Sequence, residues 1–214
     1  KNVLISQPQP ADPEKSPYFE LGKKHNLKID YFKFIKIEGI SARDFRKDKV
    51  YIQDHTAIIF TSRNAVDHFF RVAEEMRVEI PDTMKYFCVS ESIAFYLQKY
   101  VQYRKRKIFH GQQSFIDLMD IIKKHKNETF LLPCSDIHKA TIPNLLSEQN
   151  IKFNKAVLYR TVDSDLSDLD LSKYDLLVFF SPSGVASLFK NFPDFKQEDK
   201  MIAAFGPTTT KAVE

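Results

Sequence analysis

Hydroxyl side chains recur where apolar runs of the sequence give way to helical spacing. The clearest example is the five-residue apolar run 176–180, which is followed by Ser181, Pro182 and Ser183. A run of this kind suits a strand buried on both faces, while Ser and then Pro are favoured at the first positions of a helix. Ser181 and Ser183 are therefore predicted at a helix N-terminus, where free backbone N–H groups and the helix dipole favour an anion.

The same design occurs twice in the chain. Residues 57–70 read AIIFTSRNAVDHFF, and residues 176–189 read LLVFFSPSGVASLF; each is followed by a further strand and turn. The matched turn residues are Ser62 with Ser181, Asn64 with Ser183, Ala65 with Gly184, and Ser90 with Gly206. Because polar as well as apolar positions agree, the match favours two related βα halves. The alternative is that any two buried βα units look alike.

Four hydroxyl-rich turns are predicted at the carboxyl ends of buried strands, where open α/β sheets bind their ligands. Each turn taken alone is also explained as an ordinary helix cap. The four together favour an anion-binding cleft between two domains, with Ser135 and Asp136 as a weaker fifth turn. The candidate binding residues are Thr61, Ser62, Asn64, Ser90, Ser181, Ser183, Gly206, Thr208 and Thr209.

Tyr159 is the candidate for acid chemistry. It lies in residues 153–162, which are predicted to form a strand with one solvent-facing side. A phenol in the cleft can donate a proton to a leaving group. A partly buried tyrosine in a strand pair is the alternative interpretation.

Strand and helix patterns alternate along the chain without hairpin signals, which predicts a mostly parallel sheet with helices on both faces. Residues 27–37 are predicted to form one strand that pairs antiparallel with residues 153–162. We expect two α/β domains, residues 1–30 with 164–214 and residues 41–152, joined by a β-ladder of residues 31–40 and 153–163. The sequence stops inside a predicted helix at Glu214, so we expect further C-terminal residues.

Local signals predict several element boundaries. Ser16 and Pro17 begin a helix that Asn26 ends, and Ser41 caps a short helix. The remaining boundaries predicted are helices over 91–100 and 137–149 and strands over 86–89, 107–109 and 129–132.

Composition indicates a folded globular chain of 214 residues with a net charge of +4 and 43% hydrophobic residues. Cys88 and Cys134 lie in apolar surroundings and are predicted to be buried free thiols in a reducing compartment, with the cytoplasm as the default. The basic residues 104–107 are better explained as a solvated strand end than as a nucleic-acid site, because no aromatic platform accompanies them. The six histidines form no tight metal-ligand motif, and no glycine-rich nucleotide loop is present.

Four motifs carry a family resemblance. FTSRNAV (60–66), LYRT (158–161), FFSPSGV (179–185) and AAFGPTTTKAV (203–213) resemble uroporphyrinogen-III synthases in order and spacing. The resemblance implies two flavodoxin-like (HemD-like) parallel-sheet domains joined by a two-stranded β-ladder. It also implies a monomer without metal or organic cofactor that cyclises hydroxymethylbilane to uroporphyrinogen III in haem biosynthesis, with inversion of the last ring and loss of water.

The resemblance also assigns roles to single residues. Tyr159 matches the tyrosine proposed to assist departure of the substrate hydroxyl, and Thr208 and Thr209 match the GPTT turn that faces the cleft. The chain departs from the family pattern at Ser90 and at residues 133–136, both in the central domain. A non-catalytic two-domain protein that binds an anionic small molecule is the alternative function.

Overall fold

The structure, a computed structural model, describes residues 1–112, 114–138 and 140–214. Its strands are β1 (Asn2–Ile5), β2 (Lys28–Tyr31), β3 (Ile35–Gly39), β4 (Ala57–Phe60), β5 (Lys85–Cys88), β6 (Ile108–His110), β7 (Phe130–Ser135), β8 (Phe153–Asp163), β9 (Leu176–Phe179) and β10 (Met201–Ala204). Its helices are α1 (Pro17–His25), α2 (Ala42–Phe45), α3 (Arg63–Glu75), α4 (Glu91–Tyr96), α5 (Phe115–Lys123), α6 (Thr141–Glu148), α7 (Pro182–Asn191) and α8 (Pro207–Val213).

The chain divides into two units. The first consists of Lys1–Ile37 and Thr161–Glu214, and the second consists of Glu38–Arg160. Within the described residues, no helix is both long enough and apolar enough to cross a membrane.

The first unit contains a four-stranded sheet in the order β10-β9-β1-β2, and all neighbouring strands are parallel. Leu4 and Leu177 face one core, while Ile5 and Val178 face the other. Because both faces are covered, β9 is apolar at every position, as the sequence predicts.

The second unit contains strands of a six-stranded sheet in the order β3-β8-β7-β4-β5-β6. From β8 across to β6, each strand is parallel to the next one in the sheet. Ile58 and Phe60 of β4 pack against Phe69 of α3 on one face, and Ile59 packs with Leu118 of α5 on the other. The predicted α/β fold with parallel sheets is therefore confirmed.

The signals for helix starts and for the end of α1 that are read from the sequence are also confirmed. The Ser16 side chain accepts a hydrogen bond from Tyr18 N, and Asn26 ends α1 in the left-handed conformation with φ of 49°. The Ser41 side chain caps α2 by accepting from Asp44 N at 3.1 Å. These signals are reliable because a cap requires only residues within one turn of it.

The prediction of a single strand over residues 27–37 is wrong. Two short strands, β2 and β3, form instead, and they belong to different sheets. Phe34 between them is 1% exposed, and its carbonyl accepts hydrogen bonds from the Ser187 hydroxyl and from Ser164 N. Burial of this aromatic side chain outweighs the alternating pattern of its neighbours.

Several predicted boundaries also need correction. β7 runs to Ser135 instead of ending at residue 132, and this is possible despite Pro133 because the pairing of β7 with β4 ends at Leu131. α6 begins at Thr141 instead of residue 137, since Ile137 N donates to the Asp136 carboxylate in a turn. Lys139, within the predicted helix, lies outside the described residues. The helix predicted over 91–100 ends at Tyr96 and continues as a 3-10 turn.

Candidate functional site

The turn after β4 begins with a capped helix, as the sequence predicts. Ser62 is extended, with φ of −158° and ψ of 162°, and its hydroxyl accepts a hydrogen bond from Ala65 N at 3.1 Å. Thr61, which precedes it, follows a strand whose four residues are all buried. The buried strand end therefore holds the Ser62 hydroxyl at the carboxyl edge of the sheet.

Tyr159 reaches the same turn from β8. Its phenol oxygen lies 3.3 Å from the Ser62 hydroxyl oxygen, and the side chain is 7% exposed. Burial raises the pKa of the Tyr159 phenol, and the hydrogen bond with Ser62 acts in the opposite direction. The phenol therefore keeps its proton at neutral pH and is available as a donor.

A histidine and an arginine of α3 support Tyr159. The His68 ring stacks on the Tyr159 ring with centroids 5.0 Å apart, and the Arg71 Nε donates to His68 Nδ1 at 3.1 Å. Arg71 also donates to the carbonyls of Leu158 and Ile40, at 3.1 and 2.8 Å. One guanidinium thus ties α3 to the strand residue next to Tyr159.

The supporting histidine is held neutral. Burial lowers the pKa of His68, and the positive charge of Arg71 lowers it further. Because His68 Nδ1 accepts from Arg71, the neutral ring carries its proton on Nε2. The sequence analysis missed this arrangement, although His68, Arg71 and Glu75 recur at helical spacing on one face of α3.

A cavity of about 260 Å³ lies beside Ser62 and Tyr159 in the second unit. Leu132, Ile137 and Ile142 give it an apolar wall. Its polar lining residues are Thr61, Ser62, Ser135, His138 and Tyr159, together with the thiol of Cys134. An apolar wall with a few polar groups is typical of a site for a small ring with polar substituents.

His138 is a cavity residue that the sequence analysis did not single out. Its Nδ1 lies 2.9 Å from the Ser135 carbonyl, which places a proton on that nitrogen. Its Nε2 can then accept from the Lys155 ammonium, 3.4 Å away. A cationic group, the Lys155 ammonium, therefore contacts the histidine that lines the cavity.

The two cysteines are buried free thiols, as predicted. Burial raises the pKa of Cys88 to about 12 and that of Cys134 to about 11. Neither thiol is therefore activated as a nucleophile at neutral pH, although Cys134 lines the cavity.

Other predicted residues of the second unit do not join this cavity. Asn64 is exposed, and the Ser90 hydroxyl pairs with the Ser92 hydroxyl at 3.0 Å instead of capping α4. From the predicted set, the structure thus brings together Thr61, Ser62 and Tyr159, together with Ser135 of the weaker fifth turn.

The first unit repeats the capped turn. Ser181 has φ of −154° and ψ of 151°, and its hydroxyl accepts from Gly184 N at 3.2 Å. Ser183 follows in the first turn of α7, where helical N–H groups have no partner within the helix. The predicted helix N-terminus at Ser181 and Pro182 is therefore confirmed.

The turn after β10 differs. Gly206 has φ of 86° and ψ of 150°, and its carbonyl accepts from Thr209 N at 3.1 Å. The Thr209 side chain is 1% exposed, whereas Thr208 is exposed. Thr208 is therefore accessible to a ligand, and Thr209 packs inside the turn.

Metal-ligating side chains do not converge in the part of the chain that the structure describes. Across residues 1–112, 114–138 and 140–214, no cluster of three or more His, Cys, Asp or Glu side chains is arranged to hold a metal ion.

Comparison with known proteins matches the chain to one family. The family model for uroporphyrinogen-III synthase HemD matches residues 22–214. A search of curated proteins finds no match.

Solved structures share the fold. Uroporphyrinogen-III synthetase from Helicobacter pylori 26695 aligns with a TM-score of 0.62 at 18% identity, over 100% of this chain and 87% of that one. A mutant uroporphyrinogen III synthase from the extremely thermophilic bacterium Thermus thermophilus aligns with a TM-score of 0.59 at 14% identity, over 99% and 87%. At such identities the structures establish the fold, while the family-model match over nearly the whole length establishes membership: the chain belongs to the uroporphyrinogen-III synthase (HemD) family.

Proposed function

We propose that this chain carries out its family's reaction, the cyclisation of hydroxymethylbilane to uroporphyrinogen III in haem biosynthesis, with Tyr159 as the proton donor. The observation that carries this proposal is the buried, protonated Tyr159 phenol, 3.3 Å from the Ser62 hydroxyl and beside a cavity of about 260 Å³. The apolar wall and the few polar groups of this cavity suit one substituted pyrrole ring of the substrate.

The donated proton goes to the hydroxyl of the substrate's terminal hydroxymethyl group. The C–O bond breaks as the pyrrole nitrogen supplies electrons, which releases water and leaves an azafulvenium cation and a tyrosinate. Ring closure through a spiro intermediate later releases a proton, which restores the phenol. Ser62 stabilises the tyrosinate between these steps by donating a hydrogen bond to it.

Binding of the substrate's eight carboxylates is assigned to the hydroxyl turns. Hydroxyls and first-turn N–H groups bind carboxylates without a fixed point charge, which suits a chain that must fold during the reaction. The exposed members Asn64, Ser183 and Thr208 are accessible for this role. The other proposed binding residues are Thr61, Ser62, Ser90, Ser181, Gly206 and Thr209, of which Thr209 acts by shaping its turn.

The test is the isomer formed from hydroxymethylbilane, measured by chromatography after oxidation of the products. The wild-type protein should form the type III isomer above the spontaneous background, and a type I product alone would reduce the chain to a binding protein. Tyr159→Phe should lower kcat by about a hundredfold, at the low end for general acid catalysis, because folding of the substrate does not need the phenol.

Tyr103→Phe is the matched control, because this tyrosine is 38% exposed and lies outside the cavity lining. It should keep wild-type kcat. Equal rates for the wild type and Tyr159→Phe would remove Tyr159 from the mechanism. Since burial raises the pKa of Tyr159, activity that depends on its proton should persist up to the ordinary tyrosine pKa of about 10.

We further propose a cytoplasmic monomer that binds no nucleic acid. Buried free cysteines support a reducing compartment. Size-exclusion chromatography with light scattering checks the oligomeric state, and a dimeric mass would contradict it.

A further inference from the structure

Two aromatic rings stack at the carboxyl edge of the first unit's sheet. Phe180 follows β9 and Phe205 follows β10, and their ring centroids lie 4.7 Å apart with an interplanar angle of 4°. Phe205 N donates to the Phe179 carbonyl at 2.9 Å, which continues the pairing of the two strands past β10. The sheet itself therefore sets the two rings face to face.

Phe180 is the fixed member of the pair. It packs against the core that contains Val3, Ile5 and Val178, and the Tyr18 ring meets it edge-on at 6.3 Å. Its position is therefore set by buried neighbours on β1 and β9 and by the partly buried Tyr18 of α1.

Phe205 is the open member. It is 52% exposed although one ring face is covered by Phe180, so the opposite face is available to a ligand. An aromatic side chain that is rigidly held on one face and open on the other is a preformed stacking surface.

Residues that suit anion binding follow both rings directly in the sequence. Phe180 is followed directly by the α7 cap Ser181, and Phe205 is followed by the Gly206 turn that exposes Thr208. A flat apolar face on strand ends that continue into hydroxyl-bearing turns suits one kind of molecule, a planar aromatic ring that carries carboxylate arms. The substituted pyrroles of the proposed substrate have this chemistry.

We propose that Phe205 stacks on a pyrrole ring of the substrate, and that Phe180 is a positioning residue that holds the Phe205 ring. The proposal rests on the proposed function. It adds an aromatic binding residue to turns whose candidate groups are otherwise hydroxyls and backbone amides.

The second unit offers no such surface at its matched turns. Phe180 corresponds to Thr61 and Phe205 to Val89 in the internal match of the sequence. The aromatic pair is thus a property of the first unit's turns and not of the repeated turn design.

Steady-state kinetics with hydroxymethylbilane test the proposal. Phe205→Leu keeps an apolar side chain of similar size but removes the ring, and it should raise KM about five- to tenfold, with kcat changed by less than about twofold. Phe205→Tyr keeps the ring and should keep the wild-type KM. Wild-type KM in Phe205→Leu would overturn the proposal.

Phe189 provides the matched control. It lies on α7 in the same unit, is 48% exposed, and meets Phe195 edge-on at 5.9 Å. Phe189→Leu should leave KM unchanged, and a rise equal to that of Phe205→Leu would overturn the proposal by showing that any exposed aromatic loss has this effect. Equal thermal melting temperatures of the variants and the wild type establish that folding is intact.

A fluorescence experiment separates this proposal from the proposed function. The sequence contains no tryptophan, so Phe205→Trp introduces a single indole at the stacking surface. Anaerobic titration with uroporphyrinogen III should quench its emission saturably, while Phe189→Trp should not respond. Quenching together with a type I product only would retain the stacking surface and reject the enzyme; type III product without quenching would retain the enzyme and reject the stacking surface.

Discussion

The turns after β4 and β9 have the same backbone and different neighbours. Ser62 and Ser181 differ by 4° in φ and 11° in ψ, from −158° and 162° against −154° and 151°. Each caps its helix by accepting from the N–H three residues on. The Tyr159 phenol lies beside the Ser62 cap in the second unit, whereas in the first unit Phe180, the residue before the Ser181 cap, stacks on Phe205. The same capped turn thus has a phenol beside it in one unit and follows a stacked aromatic ring in the other.

The second pair of turns does not share a backbone. The internal match aligns Ser90 with Gly206, but Ser90 has φ of −143° and Gly206 has φ of 86°. The similarity of the two halves therefore extends through the first turn and ends at the second. A sequence match therefore predicts the backbone conformation where a helix cap enforces it. It does not do so where glycine permits another conformation.

The largest expected effect concerns the core beneath each first turn. Phe60 contacts the rings of Phe69, Phe70 and Tyr86, whereas its counterpart Phe179 contacts the ring of Phe34. Phe60→Ala should lower the free energy of unfolding by about 5 kcal/mol and Phe179→Ala by about 3 kcal/mol, because aromatic pairs add to the cost of the cavity. Urea denaturation measures both. A larger loss in Phe179→Ala would contradict the contrast between the two cores.

The second prediction concerns the turns at Ser90 and Gly206, which differ in backbone conformation. At Gly206, φ of 86° with ψ of 150° is a region that essentially only glycine adopts, although an added Cβ would meet no atom within 4 Å. Gly206→Ala should therefore destabilise the protein by about 2 kcal/mol through backbone strain alone. Ser90→Ala, the matched control, should stay within about 0.5 kcal/mol because Ser90 makes no cap bond. Thermal denaturation measures both losses. Equal losses of stability in the two variants would contradict the predicted strain at Gly206.

The smallest predicted difference is between the stability losses caused by removing the two cap hydroxyls. Ser181→Ala removes one cap and should cost about 1 kcal/mol. Ser62→Ala should cost about 2 kcal/mol, because it also leaves the buried Tyr159 hydroxyl without its partner. Chemical denaturation of both variants provides the measurement. Equal losses would mean that the contact between Ser62 and Tyr159 contributes no stability.

Much of the local structure could be predicted from the sequence, because its determinants are close in the chain. The apolar run of β9, the caps Ser62 and Ser181, and the end of α1 at Asn26 each depend on neighbouring residues. Predictions failed where a distant contact decided the outcome. Burial of Phe34 divides residues 27–37 into two strands. The turn that delays the start of α6 is tied to β8, because Asp136 N donates to the Tyr159 carbonyl at 3.1 Å.

Periodicity and short-range hydrogen bonding are enough to predict the repeated strand–turn–helix units, their capping serines and the candidate hydroxyls. Long-range packing, by contrast, brings Tyr159 to a hydroxyl 97 residues away, gives it the support of His68 and Arg71, and stacks Phe180 on Phe205. The physical reason is that strand order and register depend on how separate segments bury their apolar faces together, and no local pattern encodes which strand ends become neighbours.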